Sequence, residues 1–152
     1  MVTQIPNPSL VIPHSPDERT TAALAHGSAI LNFFTGFGGP IAALIIWLTQ
    51  KDKSPWVGFH ALQSLVFQAA VMLLAVVLVG GVWVVGFVVS FATIGIGTIV
   101  AVPVMILVFF AGFIIVGAGV FYSLYGAYQI YQGKEFYYLW IGDWIRRSSK
   151  RI

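Results

Sequence analysis

Few residues in this chain are of a type that could do chemistry. His60, Gln63, Ser64 and Gln68 open one long apolar segment. At roughly 100° per residue of helix they share an arc of about 140° with Phe67, and Phe59, Leu62, Leu65 and Val66 lie outside it. His60 and Ser64, one turn apart, are the residue types of a general base and a nucleophile. Such a pair also needs an acid to orient the base. None is at hand: between Lys53 and Lys134 there is no Asp, Glu, Lys or Arg. That absence also argues against a carboxylate proton relay. Of the histidines, His14 lies in a Pro-rich tail, and His26 and His60 alone fall short of a closed metal sphere. The expectation is no metal, no cofactor and no enzyme activity. Two readings of the polar face stay open. It lines a vestibule or subunit contact, or it ties down the neighbouring turn "QKDKSP". His26, with Ser28 and Asn32 near it, is placed to meet His60 and Gln63 across a bundle.

The elements that must position these residues belong in a membrane. Of 152 residues, 59% are apolar and 9% charged, far from a soluble domain's composition. A small soluble fold could not hide the uncharged run in its core. About 20 apolar residues cross a bilayer, so the chain reads as an all-α integral membrane protein whose first partner is the lipid bilayer. There is no cysteine, which removes disulfides and thiolate chemistry. The N-terminus is Pro-rich, with Asp17 and Glu18 ahead of the first apolar run, and does not read as a signal peptide.

Along the chain, residues 1–16 read as an extended tail and 17–135 as a membrane domain. Helices are expected over about 17–34, 40–50, 56–89 and 99–131. Ser15 can cap the first of them, with Pro16 at its first position. Gly36, Gly38, Gly39 and Pro40 break the first apolar segment. If the chain turns back there, the result is four helices with both termini on one face; if it runs through, three spans. The two longest helices exceed a hydrocarbon core of about 30 Å. Residues 136–152 read as an amphipathic interfacial helix and basic tail: Phe136, Tyr137, Tyr138, Trp140, Ile141, Trp144 and Ile145 fall on one arc, with Trp140, Trp144, Arg146 and Arg147 as headgroup anchors. Gly119, Ser123 and Ala127 recur every fourth residue and form a packing seam, either inside the bundle or toward a partner. The basic clusters at Lys51 and Lys53 and at the C-terminus go to the cytoplasm by the positive-inside rule. A patch this small gives little ground for nucleic-acid binding.

The block "GGPIAALIIWLTQKDKSPWVGFHALQSLVFQ", followed by two apolar spans, resembles a family of small bacterial membrane proteins of unknown function. That family is related to the small channel-forming subunit of the chloroplast inner-envelope protein-import translocon. The resemblance covers roughly residues 18–147. Leu62 and Val66 stand where the family often has a basic residue and an asparagine. The resemblance implies four membrane helices with a short or partly re-entrant first hairpin, two long helices, and both termini on one face, cytoplasmic in a bacterial cytoplasmic membrane. For function, two expectations follow. The first is a non-catalytic structural or accessory subunit that packs against other membrane proteins or itself. The second is an oligomeric channel or protein-translocation component.

Overall fold

The computed structural model describes residues 14–139 and 141–149; within 141–149 the side chains of Asp143, Arg146, Ser148 and Ser149 are outside the description. The expected N-terminal tail, apart from its last residues, and the Trp140 and Arg146 anchors therefore lie outside the described residues.

The described residues form helices joined by turns, with one non-helical stretch before the last helix and no strand among them. Helix α1 spans Pro16–Gly27. The Ser15 hydroxyl accepts from the Glu18 amide at 3.2 Å, and the Glu18 carboxylate accepts from the Ser15 amide at 3.0 Å. This reciprocal capping box satisfies two amides that the first turn cannot. A 3₁₀ turn, Ser28–Leu31, and a short α2, Asn32–Thr35, continue the same arm. At Gly36 the chain enters the left-handed region, with φ 77°, a conformation that glycine reaches without a Cβ clash. Helix α3, Gly38–Gln50, then runs back along the first arm. The Ser28 hydroxyl donates to the Gly39 carbonyl at 3.1 Å, and the Gly39 amide donates to Asn32 Oδ1 at 3.0 Å. The first segment is thus a hairpin, and the three-span alternative is set aside. One detail differs from expectation. The second arm starts at Gly38, so Pro40 sits inside its first turn. Only Gly39 of the turn is buried; Phe34 and Phe37 are exposed.

Helix α4, Pro55–Ala92, is a single helix of 38 residues, and α5, Thr98–Tyr131, one of 34. At about 1.5 Å per residue they extend about 57 and 51 Å. Both are long and apolar enough to cross a membrane. Ser54 caps α4 by accepting from the Val57 amide. It also donates to Glu18 Oε1 at 2.6 Å, which ties the start of α4 to the start of α1.

Helix α1 packs on α4 and α5, and α3 packs on α4. The four helices form a bundle only over one end of the long pair. Beyond it, α4 and α5 continue as a bare two-helix hairpin. From Trp83 to Val104 the one buried residue is Gly86, against which Met105 packs. Small residues permit this approach: Gly112 receives Val79 and Gly119 receives Val71.

The C-terminal part corrects the expected interfacial helix over 136–152. The chain is not helical from Lys134 to Tyr138, and α6 spans only Ile141–Ser149. Phe136 and Tyr138, expected in a headgroup layer, are 7% and 1% exposed. They join Ala22, Ala23, Val57 and Ile130 in the core.

Candidate functional site

The residues singled out from the sequence converge at the bundled end. His26, His60, Gln63 and Ser64 are 0% exposed, and Gln68 is 2% exposed. Their shared arc faces protein. Ser64 donates to the Ala25 carbonyl at 2.8 Å and accepts from Gln68 Nε2 at 2.7 Å. Gln68 Nε2 also lies 3.3 Å from the Ala25 carbonyl. The carbonyl at Ala25 thus gains partners from α4 where α1 gives way to the 3₁₀ turn, so buried polar groups of the two helices satisfy each other.

Gln63 reaches in another direction. Its Nε2 donates to the Phe136 carbonyl at 3.2 Å, and its Oε1 accepts from the Tyr138 amide at 3.2 Å. One side-chain amide therefore pairs with the backbone of the returning C-terminal segment as a neighbouring strand would. Held this way, Tyr138 enters the bundle. Its ring stacks on Phe67 with centroids 3.9 Å apart. Its hydroxyl lies 2.9 Å from His26 Nδ1 and 2.7 Å from Ser123 Oγ. Burial raises the Tyr138 pKa, so the hydroxyl keeps the proton it shares with these partners.

Above His60 sits Glu135. His60 Nε2 is 3.7 Å from Oε2, and His14 Nε2 is 4.0 Å from Oε1. Trp56 Nε1 donates to Oε1 at 3.0 Å, and the Tyr137 hydroxyl to Oε2 at 2.9 Å. His60, with the Tyr137 and Trp56 donors, holds the Glu135 carboxyl down to about 2, against the partial burial that would raise it. Glu18 is lowered too, first by the Ser54 hydroxyl.

The arrangement connects α1, α4, α5 and the C-terminal segment. The Ser64 hydroxyl is committed to Ala25, not to His60. His26 and His60 face each other with centroids 5.7 Å apart. Both His60 nitrogens and His26 Nε2 are buried without a hydrogen-bond partner among the described residues. No three His, Asp or Glu side chains among them gather to hold a metal ion. The seam turns inward: Gly119 meets Val71, Ser123 meets Tyr138, and Ala127 meets Gly27. Trp144 and Arg147 of α6 are exposed, and Ile145 is buried.

Sequence reasoning missed Tyr138, Phe136 and Glu135 as members of this cluster. A signal existed for one of them. Glu135 is the first carboxylate after the uncharged run, next to a segment dense in aromatics.

The model of one protein family, described as the magnetosome magnetite crystal formation protein family (MamF/MmsF), matches residues 17–145 of this chain. The chain belongs to that family. The matched region takes in both hairpins, the buried cluster and most of α6. Membership fits the expected small membrane protein and shows no link to the chloroplast translocon. No curated protein and no solved structure matches the chain.

Proposed function

We propose that this family member is a non-catalytic structural or accessory subunit of the membrane in which magnetite crystals form, and that it acts by packing against other membrane proteins or further copies of itself. The observation that carries this reading is the division of the molecule into two parts. One end is bound together by buried hydrogen bonds of Gln63, Ser64, Gln68 and Tyr138 to backbone and side chains of other elements. The other is a bare hairpin with open apolar faces. On one face a groove of about 520 Å³ runs along Gly81, Val85, Val89, Ala101 and Val104. Small residues along a membrane helix let a second backbone come close, and Gly80 and Gly81 have open space where a Cβ would stand. Lys51, Lys53, Lys134 and Arg147 belong to the bundled end, which the positive-inside rule assigns to the cytoplasm.

The test is the size of the complex extracted from native membranes in a mild detergent. The wild-type chain is expected in a complex with other membrane subunits or copies of itself. A Gly81→Leu chain, with the groove filled and helix propensity raised, is expected to run smaller. A wild-type chain that runs as a monomer contradicts the reading. The channel or translocation alternative gains nothing from the two large grooves of the hairpin, which are lined mainly by apolar side chains.

A further inference from the structure

The turn between α4 and α5, Thr93–Gly97, satisfies its own backbone amides. Every backbone amide from Thr93 to Ala101 has an acceptor inside the turn or its flanking helices. Ile94 donates to the Phe91 carbonyl at 3.2 Å, Gly95 to Ser90 at 2.8 Å and Ile96 to Thr93 at 3.2 Å; Thr98 donates to Gly95 at 3.0 Å. The amide of Gly97 finds the Thr93 hydroxyl at 2.7 Å. Thr93 and Ser90 turn their hydroxyls back onto the helix, donating to the carbonyls of Val89 and Gly86 at 2.7 and 2.8 Å. The most exposed large side chains are apolar: Phe91 is 84%, Ile94 95%, Ile96 75% and Ile99 77% exposed, with Thr98 as an exposed polar neighbour. No charged residue lies anywhere in the turn or on either flanking helix.

Ile94 sharpens this. Its φ is 52°, in a region where a β-branched residue is a genuine outlier. A turn facing water would take Gly or Asn there without strain. An isoleucine at that position gains from its exposure only in an apolar medium. In hydrocarbon a backbone that satisfies its own amides is a requirement, since nothing outside can bond them.

We propose that the α4–α5 turn ends among the lipid acyl chains of the far leaflet and does not emerge as a loop in the far compartment. Length permits it. The apolar part of α4 from Ala69 to Ala92 rises about 36 Å, and tilt brings that within a hydrocarbon core of about 30 Å. The first hairpin ends in the same style, with Phe34 and Phe37 outward at its tip. The charged side chains among the described residues then all serve one face of the membrane. The far tip offers no charged group with which to hold an ion or a crystal surface.

The chain has no cysteine, so Ile96→Cys, and Ile94→Cys in a separate protein, each carry a single nitroxide spin label. The labelled full chain is placed in phosphatidylcholine–phosphatidylglycerol vesicles, with a water-soluble nickel chelate on both sides and oxygen as the apolar collider. Lys53→Cys is the aqueous reference. The expected result is strong collision with oxygen at both tip positions, and nickel access about tenfold below that at position 53. Nickel access equal to that at position 53 overturns the proposal. Weak collision with both reagents, which marks a tip covered by protein, overturns it as well.

Discussion

The Tyr138 hydroxyl lies 2.9 Å from His26 Nδ1, although 112 positions separate the two residues. The contact joins the first helix to the segment after the last long one, and Ser123 of α5 completes it at 2.7 Å. Tyr138→Phe keeps the ring on Phe67 and leaves two buried polar groups without their partner. That costs about 1–3 kcal/mol. The melting temperature of the detergent-solubilised chain is expected to fall with little change in helix content.

Gln63 holds the same segment by its backbone. Gln63→Leu removes both hydrogen bonds to Phe136 and Tyr138, each worth about 1 kcal/mol net. The segment should detach more often while the helices stay formed. Trypsin is expected to cut after the exposed Lys134 faster than in wild type, with far-ultraviolet circular dichroism unchanged. An unchanged cutting rate would show that aromatic packing alone seats the segment.

Glu135 makes part of this attachment sensitive to acid. Its carboxyl titrates near 2 in the folded chain, against an ordinary value of 4.5. A depressed carboxylate contributes stability that is whole above 4.5 and is lost as pH falls through about 2. Protection of the Tyr138 amide from hydrogen exchange, corrected for intrinsic rate, is expected to decline across that window. Glu135→Gln should abolish the inflection.

Two glycines should respond in opposite ways to the same change. A methyl on Gly39 would run into Gln68 Oε1 and Asn32 Oδ1, where the first hairpin meets α4. Gly39→Ala is expected to destabilise by about 1–3 kcal/mol. Gly80 has open space at that position, so Gly80→Ala gains helix propensity of up to about 1 kcal/mol. Thermal melts of the two variants side by side check both signs.

How much of this was legible in the sequence depends on whether a signal was local. The α4 arc of His60, Gln63, Ser64 and Gln68 follows from helical periodicity alone, and all four are buried together. The break at Gly36 and the Ser15–Glu18 cap are equally local, since turn and cap chemistry reside in a few consecutive residues. Charge counting could not decide between hairpin and span, because Arg19 is the single lysine or arginine before the break, beside Asp17 and Glu18. The hydrogen bonds of Ser28 and Asn32 to Gly39 decide it, and they exist only after the arms meet. Phe136 and Tyr138 show the opposite failure. Their spacing fits an amphipathic helix with Trp140 and Trp144, but Gln63, more than seventy residues away, draws them into the bundle as extended chain. The Gly119–Ser123–Ala127 seam was visible as spacing. Its direction, toward Val71, Tyr138 and Gly27, depended on which neighbour filled it.

The packing role of the bare hairpin is tested most directly by the magnetite crystals of cells carrying Gly81→Leu. This substitution fills the groove on α4 at a position with no neighbour inside the molecule. The packing role predicts a full-length, membrane-inserted protein at wild-type abundance, with crystals altered as in cells lacking the chain. Crystals of wild-type size and shape from that strain would contradict it.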